Sequence, residues 1–169
     1  MSTKRLLLWD IDGTLISTGA AGQGAIIRAT AEQFGGDGNL DGVEIAGRTD
    51  LAIAQQILQK YGAPVTDSNA RAFLDIYLQL LSEELPRRQG RVLPGVLELL
   101  ERLDSQPDTT LGLLTGNLER GAKLKLEHYD LWRFFAFGGF ADDHHDRNQI
   151  GPFALARALK GTGIKFAGS

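Results

Sequence analysis

Cysteine is absent from this chain. That excludes a disulfide framework, a thiolate metal cage and a cysteine nucleophile, and it suits a reducing compartment. A long apolar run is missing as well. The N-terminal MSTKRLLLW passes straight into acidic residues, so its apolar stretch is too short for a secretory signal or a membrane span. The expectation is a cytoplasmic protein with no membrane partner. Neither sign of charge dominates: 18 Lys and Arg stand against 21 Asp and Glu, a net charge of −3, with the two signs interspersed. No basic footprint for nucleic acid results, and a small anionic ligand would have to find local positive groups. Internal repeats and low-complexity segments are also lacking.

What remains is ordinary globular composition, 43% hydrophobic and 23% charged over 169 residues. This is enough for one generous domain or for a small core carrying an insertion. Leu6-Leu7-Leu8-Trp9 is a short continuous apolar run, the pattern of a strand buried on both faces of a parallel sheet, and it stops at Asp10. From Ser17 to about Gly90 the periodicity is helical. Ile27, Thr30, Ala31 and Phe34 share one face, as do Leu51, Ala54, Leu58 and Tyr61, and then Phe73, Ile76, Tyr77, Leu80 and Leu81. Glycine- and proline-containing stretches at 35–39, 62–64 and 86–90 punctuate these helices. Beyond Leu93-Pro94-Gly95 the pattern alternates. A helix over Val96 to Leu103 precedes an apolar run at Leu111 to Leu114, a helix from about Leu118, a strand candidate over Phe135 to Phe140, and a helix over Pro152 to Leu159. Alternation of this kind predicts a parallel α/β core, here 1–16 with 91–169, interrupted by a helical insertion over 17–90. The first strand is expected near the middle of the sheet.

Two segments carry chemistry. In LLLWDIDGTL, Asp10 and Asp12 are two apart at a strand's carboxyl end, so the strand period turns both carboxylates to one side, where open α/β sheets gather ligands. An ordinary acidic turn is the alternative, but a carboxylate pair at the end of a buried strand is costly without a cation. Mg²⁺ suits such hard oxygen ligands. In TLGLLTGN, Thr115 ends a second apolar run, Gly116 permits close backbone approach, and Asn117 reads as the N-cap of the following helix, whose free N–H groups favour an anion. A bland capping turn explains the same three residues. In EIAGRTD, Thr49 or Asp50 could cap a helix, leaving Arg48 either solvated or turned toward a ligand. The run from Asp142 to Asp146 lacks a helical histidine spacing and reads as a solvated acidic loop.

DIDGTL after an apolar strand resembles the first signature of the haloacid dehalogenase-like superfamily, and TLGLLTGN is similar to the second; the resemblance covers essentially the whole chain. It implies a Rossmann-like α/β core with an inserted helical cap, of the phosphoglycolate phosphatase-like type. By resemblance, Asp10 is a nucleophile that takes up a phosphoryl group and binds Mg²⁺. Asp12 is a general acid and base that also offers its backbone carbonyl to the metal. Thr115, Gly116 and Asn117 hold the phosphoryl group. The third signature asks for one cation, and Arg147 is nearest that role, with Lys123 and Lys125 as fallbacks. Arg48 would meet the substrate's remote part. The implied activity is a Mg²⁺-dependent phosphatase for a small phosphorylated metabolite. A phosphomutase of the same superfamily, or a non-catalytic anion- or partner-binding fragment, is the alternative. The sequence departs from the family at its end. Relatives continue past the region of GTGIKFAGS into a strand with a further acidic pair, so the core looks truncated. The expectation for the 169-residue chain is therefore an unpaired edge at Leu6 to Trp9 that invites self-association, weak Mg²⁺ binding and little activity.

Overall fold

The computed structural model describes residues 4–166. The apolar run after Lys4 forms β1 (Arg5–Trp9), which pairs in parallel with β4 (Thr109–Leu114), Leu6 opposite Thr110 and Trp9 opposite Leu113. A two-residue strand, β5 (Gly138–Gly139), adds in parallel to the far side of β4, so the sheet order is β1-β4-β5. The crossovers are helical, as parallel pairing requires. Helix α4 (Val96–Asp104) precedes β4, α5 (Glu119–His128) joins β4 to β5, and α6 (Gly151–Thr162) follows β5. Ile11, Leu100, Leu113, Leu126 and Leu131 are fully buried between these layers and form the core of the α/β unit.

The chain leaves and re-enters this unit through one antiparallel ribbon. β2 (Ile16–Ser17) pairs with β3 (Arg91–Val92), Ser17 lying opposite Arg91. Between the two strands run α1 (Ala21–Phe34), α2 (Asp50–Lys60) and α3 (Asp67–Glu84), an all-helical lobe with its own apolar core around Ile57, Leu58, Phe73, Tyr77 and Leu81. Thr49 and Thr66 start α2 and α3 by accepting hydrogen bonds from Ala52 N (3.1 Å) and Asn69 N (3.2 Å), which satisfies otherwise orphaned donors. Among the described residues no helix is long and apolar enough to cross a membrane.

Three local expectations change. Among the described residues β1 has a strand partner on one side only, so it is an edge strand and not an inner one. The strand expected over Phe135 to Phe140 shrinks to two glycines. A side chain at Gly138 would lie 2.8 Å from Leu113 Cβ, and one at Gly139 2.7 Å from an Ile150 methyl, so only glycine lets the backbone come this close. Phe135 and Phe140 are buried in the core to either side. Finally, α1 buries Ala21, Ala25, Ile26, Ala29 and Thr30, a face offset from the one its larger residues suggested. Alanines let α1 and α3 approach closely, and a periodicity read from bulk alone passes over them.

Because Ala29 is wholly buried, enlargement there must push the lobe apart. Ala29→Leu is expected to destabilise the protein by about 1–3 kcal/mol, measured as a lower midpoint in urea unfolding.

Candidate active site

The end of β1 turns sharply. Ile11 is fully buried and its carbonyl accepts hydrogen bonds from Thr14, Leu15 and Ile16 N (3.3, 2.9 and 3.2 Å), while Gly13 at φ 78° supplies the left-handed residue of the loop. With Ile11 anchored inward, Asp10 and Asp12 on either side of it line a common cavity. Asp10 Oδ1 accepts from Ile11 N at 2.9 Å, and its Oδ2 accepts from Arg147 at 2.5 Å.

β4 ends beside β1, and the residues after it close the other wall. Thr115 is buried, and its Oγ1 accepts hydrogen bonds from Asn117 Nδ2 (2.8 Å) and Asn117 N (3.3 Å). A hydroxyl that already accepts twice keeps its own proton for a further acceptor, which suits an anion oxygen. Asn117 does not cap α5, contrary to the sequence expectation. Its side chain turns to the site, donating to Asp12 Oδ2 (2.9 Å) and accepting from Lys125 Nζ (2.6 Å). The start of α5 is instead satisfied by two remote carboxylates, Asp50 Oδ2 to Leu118 N (2.9 Å) and Asp142 Oδ2 to Glu119 N (2.7 Å). Negative charge at that helix end is favourable, which leaves the asparagine free.

The basic candidates separate clearly. Lys125 points inward from α5 with its side chain only 5% exposed, and its Nζ reaches Asp12 Oδ2 at 2.7 Å. Arg147, at the start of a short 3-10 segment, joins Asp10 from the open side. Lys123 pairs with Glu127 on the surface (3.7 Å). Arg48 lines the cavity, but its guanidinium is paired with Glu44 and half exposed. Burial pulls the Asp12 carboxyl upward; the charge and hydrogen bond of Lys125, with the Asn117 amide and Arg147, outweigh that and hold it below its ordinary value. The inward role of Lys125 had a sequence signal, because it shares a helix face with the buried Ala122 and Leu126.

The helical lobe closes the cavity from above, leaving about 480 Å³. It docks through the start of α2: Asp50 N donates to Gly116 O (2.7 Å), and Thr49 Oγ1 donates to His145 O (2.7 Å). A side chain at Gly116 would lie 2.6 Å from Arg48 O, so glycine is what lets the lobe sit on this loop. The loop from Asp142 to Asp146 is structured and not merely solvated. Asp143 is clamped by two hydrogen bonds from Arg157 (2.6 Å each), and Asp146 caps Asn148 N at 3.0 Å. Among the described residues no group of three or more His, Asp or Glu could hold a metal. Mg²⁺ needs less from the protein: one or two carboxylates, with phosphate and water oxygens completing its shell. Asp10 and Asp12, both lining the cavity, supply carboxylates of that number.

Burial raises the Asp50 carboxyl from 3.8 to about 6, with Lys125 and the Leu118 N–H opposing and Asp12 and Asp142 reinforcing the rise. A folded-state value above the unfolded one means that the group's contribution to stability is fully present below pH 3.8 and lost as the pH rises through about 6. Asp50→Asn keeps an oxygen acceptor for Leu118 N without the buried charge. It is therefore expected to gain stability over wild type on going from pH 4 to pH 8, by on the order of 2–3 kcal/mol. Urea unfolding of both proteins across that range measures it.

A family model described as haloacid dehalogenase-like hydrolase matches residues 7–167. The chain is 32% identical over 136 residues to the "Probable phosphatase IndB" of Dickeya dadantii (strain 3937), an alignment covering 78% of this chain and 56% of that protein. It thus spans little more than half the length of that relative. Its fold is similar to CbbY from Rhodobacter sphaeroides in complex with phosphate, with a TM-score of 0.68 at 13% identity over 94% of this chain and 72% of that one. It is also similar to a haloacid dehalogenase-like family hydrolase from Streptococcus pneumoniae, with a TM-score of 0.55 at 16% identity over 97% and 72%. With the paired aspartates after β1 and the Thr-Gly-Asn turn after β4 on one cavity, and with this match across nearly all of its length, the chain belongs to the haloacid dehalogenase-like hydrolase family.

Proposed function

We propose that this chain carries the site of a phosphoric monoester hydrolase acting on a small phosphorylated metabolite. One observation carries the reading: Asp10, Asp12, Thr115, Asn117, Lys125 and Arg147 converge on one lobe-covered cavity at adjoining strand ends. The family match, the phosphatase name of the Dickeya relative and the phosphate complex of a structure with the same fold support it.

In this reading, a carboxylate oxygen of Asp10 attacks phosphorus while the bond to the leaving alcohol oxygen breaks. Asp12, a carboxylate in the ligand-free site, takes up a proton when the negatively charged phosphate settles beside it and delivers that proton to the alcohol. The products of this step are an aspartyl-phosphate and a free alcohol. Asp12, now unprotonated, removes a proton from water. That water attacks the phosphorus, the bond to Asp10 breaks, and inorganic phosphate leaves. Thr115 donates a hydrogen bond from its hydroxyl to a phosphoryl oxygen, and Gly116 follows it in the same cavity-lining turn. Arg147 grips the phosphoryl group on the open side, where its planar fork suits two oxygens at once. Lys125, committed to Asp12 and Asn117, orients the acid and base rather than holding the substrate. Mg²⁺, held by Asp10 and the Asp12 backbone carbonyl, would neutralise part of the charge between carboxylate and phosphate dianion. Arg48 would reach the remote part of a substrate only by exchanging its Glu44 partner. The helical lobe over 17–90 acts as the cap that keeps bulk water from the intermediate.

Asp10→Asn keeps the shape of the side chain and removes the nucleophile. Magnesium-dependent release of phosphate from an aryl phosphate should fall by roughly three orders of magnitude or more with the thermal midpoint little changed. Near wild-type turnover would rule out Asp10 as the attacking group. Arg147→Ala should raise KM for the same substrate by roughly tenfold or more, because it removes a charge-assisted hydrogen bond to the phosphoryl group. Steady-state kinetics that instead show an unaltered KM would transfer that role to Lys125.

A further inference from the structure

The cap side of the cavity holds a polar group that the phosphoryl chemistry leaves unused. Tyr77, on α3, is 2% exposed and lines the cavity, yet its hydroxyl has no hydrogen-bond partner among the described residues. Its hydroxyl lies 3.9 Å from the position a Gly22 Cβ would take, and Lys125 Nζ lies 3.7 Å from the same point, which sets the phenol on the α1 side of the cavity in the neighbourhood of Lys125. Thr18, 9% exposed at the entrance to the lobe, is a second cavity hydroxyl without a side-chain partner among the described residues. Buried hydroxyls are ordinarily paired, and two on one cavity wall are donors and acceptors waiting for a ligand.

The charges around them define that ligand further. Arg48, the cationic side chain that the helical lobe contributes to this cavity, is committed to Glu44. Lys125 is committed to Asp12 and Asn117. The lobe also brings the carboxylate of Asp50 to the same wall. A leaving group with its own carboxylate would therefore meet an acid and reach Arg48 only by displacing Glu44, whereas neutral hydroxyls would complete the hydrogen bonding of Tyr77 and Thr18 without breaking an existing pair. Ile26 and Ile53 supply an apolar side for a carbon backbone. We infer that Tyr77, with Thr18, is the recognition site for the leaving group and selects a neutral, hydroxylated alcohol over a carboxylated one. The inference rests on the phosphomonoesterase reading for the position of the phosphoryl group. The Tyr77 hydroxyl is held in its protonated, donating form, because burial and the nearby acids Asp50 and Asp12 push it well above its ordinary value.

Equilibrium binding of three phosphonates to the purified chain, followed by calorimetry with magnesium present, tests this without relying on turnover. 3,4-Dihydroxybutylphosphonate mimics a hydroxylated substrate, 3-phosphonopropionate a carboxylated one, and methylphosphonate the phosphoryl end alone. Wild type should bind the dihydroxy compound tightest, and Tyr77→Phe should reduce its advantage over methylphosphonate by roughly fivefold, the worth of one neutral hydrogen bond. Thr18→Val should reduce the same ratio and serves as the independent measurement if Tyr77→Phe folds poorly. Tighter binding of 3-phosphonopropionate by wild type would overturn the inference. So would an equal loss on all three probes in both variants, which is what a purely structural role produces. Hydrolysis of glycerol 1-phosphate and phosphoglycolate keeps the two readings apart. Selective binding without turnover of either would sink the phosphatase reading alone, and turnover with preference for phosphoglycolate would sink this inference alone.

Discussion

A buried ammonium organises the site. Lys125 sits inside the protein, where an unpaired charge would cost several kcal/mol, so its charge must be paired and its three donors are held to acceptors where it can reach them. Asp12 and Asn117 meet two of them, and Asn117 passes the connection on to Thr115. The consequence is geometric. The turn after β1, the turn after β4 and the third residue before the end of α5 are tied at one point, and none can shift without exposing or orphaning a charge. A constellation tied in this way is held in place before any ligand arrives, which is what electrostatic catalysis requires of its parts.

The second constraint is how the helical lobe meets that point. A two-stranded ribbon alone would leave the lobe free to swing, but the first residues of α2 add bonds to the loops after β4 and β5. Asp50 serves both sides at once. It opens a helix of the lobe, and its carboxylate takes the place of a missing N-cap on α5 of the core. The cavity between lobe and core thus has one wall from the strand ends and the other from α1, α2 and α3. On the proposed reading, chemistry and selectivity fall on different parts of the chain, so one can change without the other.

Much of this was legible from the residues in order. The abrupt end of an apolar run at Asp10, the two-residue spacing to Asp12 and the second apolar run ending at Thr115 located both strand ends. They did so because strand period and burial leave a direct imprint on sequence. Helical periodicity between Ser17 and Gly90 likewise marked the inserted lobe. Less was legible where bulk misleads, as with the alanine face of α1, or where backbone proximity decides, as with Gly138 and Gly139. Asn117 looked like a helix cap because its local position fits one; the cap came from residues 68 and 23 positions away.

The sequence by itself determined that two acids and a threonine would stand at the ends of parallel strands, since each is set by its neighbours along the chain. Tertiary structure alone decided which cation meets which acid. Lys125 and Arg147 are 113 and 137 residues from their carboxylate partners, and no local pattern ranks one base over another across such separations. It alone turned Tyr77 from a core residue on a helical stripe into a hydroxyl on a cavity wall. The physical reason is the same in both cases: periodicity records which face of an element is buried, but not whether burial ends against carbon, against charge or against the space left for a ligand.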